Sequence, residues 1–163
     1  MLKKIAVGFL AVAATSALAL SLPSAASAAT TADSPSYDDY SDYWGPVYAQ
    51  HRLAKSQGSV NVQWDDDQES NSVHVSGRLY DRDDRDYDEG GKCGYVQFQA
   101  SDFDHDWSTV YTKKYCGFPG YKKFQFDTED VFSLRVKVCQ VGPSGGYPTR
   151  CGRWDYLYTA EAE

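Results

Sequence analysis

The sequence predicts an all-β protein, an antiparallel β-sandwich of about seven strands braced by disulfides. Three observations carry that expectation. Apolar and polar residues alternate with a period of two from Ser59 onward. Clusters of Gly, Pro and Asp interrupt the alternation at short, regular intervals. The four cysteines, Cys93, Cys116, Cys139 and Cys151, fall symmetrically about two of those interruptions.

Taken in order, Val60–Trp64 places Val60, Val62 and Trp64 on one face, and Val73–Tyr80 does the same for Val73, Val75, Gly77 and Leu79. Gly94–Ala100 directs Val96, Phe98 and Ala100 inward; Thr109–Cys116 follows it. Tyr121–Asp127 contributes Phe124 and Phe126, and Phe132–Val141 contributes Phe132, Leu134, Val136 and Val138. Arg153–Tyr158 is the seventh strand. Only Val47–Lys55 has the pattern of a short helix, which Gly58 would stop.

Four cysteines admit three pairings, and hairpin symmetry favours one of them. Cys93 and Cys116 are equidistant from the acidic turn Asp102–Asp106, and Cys139 and Cys151 are centred on Gly145 within Gly142-Pro143-Ser144-Gly145-Gly146. Each pair would staple a hairpin and contribute about 3 kcal/mol by restricting the unfolded chain. Cys139 shares the parity of Arg135 and Lys137, so it should point away from the core, where an exported protein's cysteine is oxidised. Zinc would require close pairs such as C-x-x-C, which the sequence lacks.

The beginning of the chain has the form of a secretory signal. Lys3 and Lys4 precede an apolar run from Ile5 to Leu22, Pro23 breaks it, and Ala26-Ser27-Ala28 supplies the small residues that signal peptidase accepts. Cleavage after Ala28 is expected. No cysteine is available there for lipid attachment, and the C-terminal residues carry neither an apolar tail nor a wall-sorting motif, so the expected location is secreted and extracellular, with no membrane association after cleavage. Residues 29–57, rich in Ser, Asp and Tyr at their start, read as a flexible leader, and residues 58–163 as one domain. Loss of Lys3 and Lys4 leaves 14 basic side chains against 23 acidic ones, a net charge of −9. That balance argues against nucleic acid or an anionic membrane as partner. A monomer is expected.

Alternate loops of an antiparallel sandwich fall at one end. Three of them, Asp65–Glu69, Asp102–Asp106 and Asp127–Asp130, would gather carboxylates there, and calcium is the cation such oxygens could hold. The candidate ligands are Asp65, Asp67, Asp102, Asp104, Asp106, Asp127 and Asp130. None of these loops is an EF-hand, since Trp107 stands where that motif needs Gly and Lys113 where it needs Glu. No other cofactor is indicated.

Paired strands flanking the turn Gly117-Phe118-Pro119-Gly120 would bring Lys113, Lys114, Lys122 and Lys123 together with Tyr115 and Tyr121 beside them, and Tyr95, Tyr111, Tyr115 and Tyr121 could form an exposed aromatic strip. Tyrosine rings on a sandwich face can stack sugars, and the lysines could receive an acidic polymer or glycan. For catalysis the residues are few: His51, His74 and His105 have no G-x-S-x-G setting and no free thiol beside them, although abundant loop carboxylates leave glycoside hydrolysis as an alternative.

Two resemblances complete the reading. The segment Cys93-Gly-Tyr-Val-Gln-Phe-Gln-Ala100, the spacer Lys113-Lys-Tyr-Cys-Gly117, Tyr121-Lys-Lys-Phe124 and the run Phe132–Val141 together resemble small secreted proteins of Streptomyces-type actinobacteria, over roughly residues 58–155. That likeness implies export and brings no activity. The loop Cys139–Cys151 is loosely similar to a cysteine-bracketed G-P-S-G segment of secreted subtilisin inhibitors, whose separate reactive-site loop has no counterpart here. The functional expectation is therefore a secreted, non-enzymatic module binding an extracellular glycan or protein. The alternatives are a secreted hydrolase or protease inhibitor, and a calcium-stabilised extracellular domain.

Overall fold

The computed structural model describes residues 36–161; the expected signal segment lies outside the described residues. Nine strands form two antiparallel sheets packed face to face. They are β1 (Tyr40–Tyr48), β2 (Ala54–Trp64), β3 (Asn71–Asp81), β4 (Cys93–Ser101), β5 (Trp107–Tyr115), β6 (Tyr121–Glu129), β7 (Ser133–Gly142), β8 (Gly145–Thr149) and β9 (Asp155–Thr159). The first sheet runs β1-β2-β3-β6 and the second β5-β4-β7-β8, with β9 pairing the other half of the same edge of β7.

The alternation read from the sequence sets the core. Val60, Val62, Val73, Val75 and Leu79 from the first sheet meet Val96, Phe98, Leu134, Val136 and Val138 from the second, all of them buried. Phe98 is the central ring, with Trp44, Phe124 and Phe126 around it at 5.5, 5.7 and 5.0 Å. Burying such apolar surface from both layers is the main favourable contribution to folding.

The flexible leader expected over residues 29–57 needs correction. Its second half is β1 and the start of β2, with a 3-10 turn at Gln50–Arg52 between them where a short helix was expected. The cause is a register shift between Trp44 and Val47, at Gly45-Pro46. Both flanking residues are buried but stand three apart, so the period of two disappears from the sequence. Gly45, at φ +82°, occupies left-handed space that favours glycine, and Pro46 is tolerated because β1 is an edge strand. Ahead of β1, Tyr37 stacks on Trp64 with ring centroids 4.1 Å apart.

Both disulfides pair as hairpin symmetry indicates, Cys93 with Cys116 and Cys139 with Cys151. Cys139 lies outside the core cluster, as its parity requires, yet it is fully buried. Its bond to Cys151 draws the neighbouring segment against β7, where the Gly152 N–H donates to the Val138 carbonyl.

The mixed-charge loop after β3 is anchored by two buried carboxylates. Asp83 accepts both arms of the Arg85 fork at 2.7 Å, the Lys92 backbone N–H and the Gln140 amide. Asp81 accepts the backbone N–H groups of Asp83 and Gly117, tying the loop to the turn beyond β5. Among the described residues no helix is long and apolar enough to cross a membrane.

Candidate functional site

Because side chains alternate along a strand, the inward set of the first sheet fixes which residues its outer face presents. The register then arranges them in rows across the strands. Lys55, Tyr80 and Tyr121 form one row; Gln57, Arg78 and Lys123 the next; Tyr43, Ser59, Ser76 and Gln125 the third. Between the last two rows runs the inward row Trp44, Gly58, Gly77 and Phe124.

That inward row shapes the surface. A Cβ on Gly77 would lie 2.6 Å from Phe124 Cζ and 2.9 Å from Trp44 Cζ2, so only a bare backbone lets both rings close up beneath it. A Cβ on Gly58 would run into the Ser76 carbonyl oxygen. With two adjacent glycines and the irregular edge at Gly45-Pro46, the outer face sinks into an open cleft of about 740 Å³. Its rim carries Tyr43, which is 87% exposed, and its floor includes Trp44, which is 5% exposed. The Trp44 Nε1–H is buried without a hydrogen-bond partner. Such a group normally has one, and leaving it unpaired costs roughly 1–3 kcal/mol.

Donors and acceptors converge on the cleft. Ser59 and Ser76 share a hydrogen bond at 3.0 Å between their hydroxyls, and Gln57 and Gln125 present amides. Arg78 and Lys123 are register neighbours, exposed, and in no ion pair among the described residues. Beside them Arg78 lies over the Tyr121 ring at 5.1 Å, and Lys55 over the Tyr80 ring at 4.2 Å. Among the described residues no carboxylate lines the cleft.

The structure divides the tyrosine and lysine set expected from the sequence. Tyr121 and Lys123 belong to this outer face. Tyr95 is on the opposite side of the molecule, on the outer face of the second sheet, across from Lys114 and Cys139. Tyr111 turns inward at the edge and stacks on Phe126 at 4.5 Å, closing the gap between the sheets; burial pushes its hydroxyl pKa up. Tyr115 packs against the core and the glycines of the 117–120 turn, and Lys113 shares its side of β5. The single strip expected from these residues does not form, because β5 and β6 belong to different sheets.

The acidic loops come to one end of the sandwich, but their side chains do not converge. Asp102 accepts the N–H groups of Asp104 and Asp106, both at 3.0 Å, as a turn former. Asp130 accepts from the Ser70 hydroxyl, and Asp127 pairs with His74 at 2.6 Å on the open face. Asp67 accepts the Glu69 N–H at 3.4 Å, while Asp65 bonds across its turn through backbone groups. Among the described residues no three His, Cys, Asp or Glu side chains are grouped to hold a metal ion, which corrects the calcium expectation. Repulsion in these loops is relieved by separation, with each acid serving its own turn or neighbour.

A second cation and aromatic cluster went unread in the sequence. On the outer face of the second sheet Arg135 lies over Trp107 at 3.7 Å and Trp154 at 4.6 Å, and Lys137 over Trp154 at 4.3 Å. Gln99 Oε1 accepts two guanidinium donors of Arg135, so this ladder is largely satisfied internally. The signal for the first cleft was present: glycines at 58 and 77 within otherwise regular strands mark a close approach of backbone and rings.

In comparisons with known proteins, no family model and no curated protein matches the chain. Among solved structures, one similar to this chain is a Bordetella pertussis protein that carries the name ApaA, at 13% identity and a TM-score of 0.29, over 77% of this chain and 96% of that one. A likeness of that size carries no argument about fold or function.

Proposed function

We propose that the protein is a secreted, non-enzymatic binding module and that its ligand occupies the cleft on the first sheet. The observation that carries this reading is the convergence, in a recess of about 740 Å³, of an exposed ring, two hydrogen-bonded hydroxyls, amides and two cations. Ligand sites are typically recesses of roughly 300–1,000 Å³ with a few placed polar groups. Export is supported by the signal-like N-terminal sequence and by two disulfides, which persist in oxidising compartments. Each His lacks a nucleophile arrangement, and both disulfides consume the thiols, so the chemistry at hand favours binding over turnover.

A glycan array probed with protein from culture fluid, alongside a panel of secreted proteases, tests this. The expected result is glycan binding that falls at least tenfold in Tyr43→Ala while the fold is retained, and no protease inhibition. Glycan binding indifferent to Tyr43→Ala would move the site elsewhere. Protease inhibition abolished by Tyr147→Ala would replace the reading with that of an inhibitor using the exposed β7–β8 hairpin.

A further inference from the structure

Resting on that reading, we infer that the cleft takes an anionic saccharide, with Arg78 and Lys123 receiving its carboxylate. The first support is charge. The sequence carries 23 acidic and 16 basic side chains, yet among the described residues the lining of this cleft holds two cations and no acid. A second hollow, of about 550 Å³ between the start of β1 and β9, shows the reverse, with Asp38, Asp39 and Glu161 in its lining. The positive cleft is a local departure from the average, and clefts of one sign draw ligands of the other.

The second support is the state of those cations. Arg78 and Lys123 sit side by side across β3 and β6 and form no ion pair among the described residues. Lysine on a sheet can serve simply to block edge pairing, but Arg78 is on an inner strand with β2 and β6 on either side, where no edge needs protection. Its guanidinium lies over the Tyr121 ring, which orients a planar fork suited to bidentate carboxylate binding.

The third support is the rest of the lining. A free small anion would need only the charges. The cleft adds Ser59, Ser76, Gln57 and Gln125, which match sugar hydroxyls, and the exposed Tyr43 ring, which offers a face to the C–H side of a pyranose. Row spacing across a sheet, about 4.8 Å per strand, spreads these groups over a length that suits two or three sugar units.

The test is calorimetric titration of the full exported protein with trimers of galacturonate, mannuronate and guluronate, their methyl esters, and citrate as a free anion. At least one uronate trimer should bind tenfold or more tightly than its ester and than citrate, with affinity falling as salt rises. Arg78→Gln and Lys123→Gln should each weaken it at least fivefold, and Lys114→Gln should leave it unchanged. Equal affinity for acid and ester, undiminished binding in the Arg78 and Lys123 variants, citrate binding as tight as the trimer, or no binding by any uronate would each overturn the inference. If an ester or neutral trimer binds and Tyr43→Ala abolishes it, the cleft stands and only its anionic specificity falls. Binding of any trimer indifferent to Tyr43→Ala removes the cleft itself.

Discussion

Gly58 stands directly across from Gly77 in the β2–β3 register, and the ring of Trp44 extends from β1 into the space that a Gly77 side chain would fill. This pairing links the core to the outer surface. The rings of Trp44 and Phe124 reach the backbone from inside, and the same stretch of backbone is the floor of the cleft on the outside. Gly77→Ala should therefore destabilise the protein by about 2 kcal/mol, since overpacking a filled core costs roughly 1–3 kcal/mol. It should also displace the Trp44 indole proton resonance. Urea denaturation and a two-dimensional amide spectrum check both, and an unchanged midpoint would mean that the rings are not held where the structure puts them.

Asp83 and Arg85 give stability a definite pH dependence. The Arg85 guanidinium beside it holds the Asp83 carboxyl down at about 2, aided by the Lys92 N–H and the Gln140 amide and opposed by burial. A depressed carboxyl stabilises the fold above its unfolded value, near 4, and that contribution is lost as pH falls from there through about 2. The size is about 2 kcal/mol. At pH 7, Asp83→Asn should lower the thermal midpoint by roughly 8 °C. The gap to the native protein should narrow as the pH approaches 2. Asp81 runs the other way: burial raises its pKa, so the stability gained from its protonation is present at low pH and is lost as pH rises through its folded value. A gap between Asp83→Asn and native protein that stays constant from pH 7 to pH 2 would rule out the pairing as the source.

How far the sequence could be read follows from where regularity holds. Val60, Val62, Val73, Val75, Val96, Val136 and Val138 all face the core as their parity requires, because an unbroken strand keeps a strict period of two. The cysteine pairs were legible for a related reason, since a hairpin places residues equidistant from its turn opposite one another. The cleft was not. It depends on Tyr43 and Trp44, in a strand whose period is broken by Gly45-Pro46, and on which strands are neighbours across the sheet. Tyr111 and Tyr121 are ten positions apart across one short turn, yet β5 and β6 enter different sheets, and nothing local in Gly117-Phe118-Pro119-Gly120 distinguishes a hairpin from a crossing between layers. The loop acids could be assigned to one end, but not to convergence, because their side-chain directions are set by turn geometry.

Asp102 tests that last point. Its Oδ1 accepts the N–H groups of Asp104 and Asp106, a local role that needs no cation. Asp102→Ala should thus cost about 1 kcal/mol, the usual net value of a side-chain hydrogen bond that organises a turn. Neither added calcium nor a chelator should move the thermal midpoint of the native protein, because a bound ion would stabilise the fold in proportion to the logarithm of its concentration over its dissociation constant. A midpoint that rises steadily with millimolar calcium, and loses that rise in Asp102→Ala, would show that the loops close on a cation in solution and that the separation of their carboxylates describes only the ion-free form.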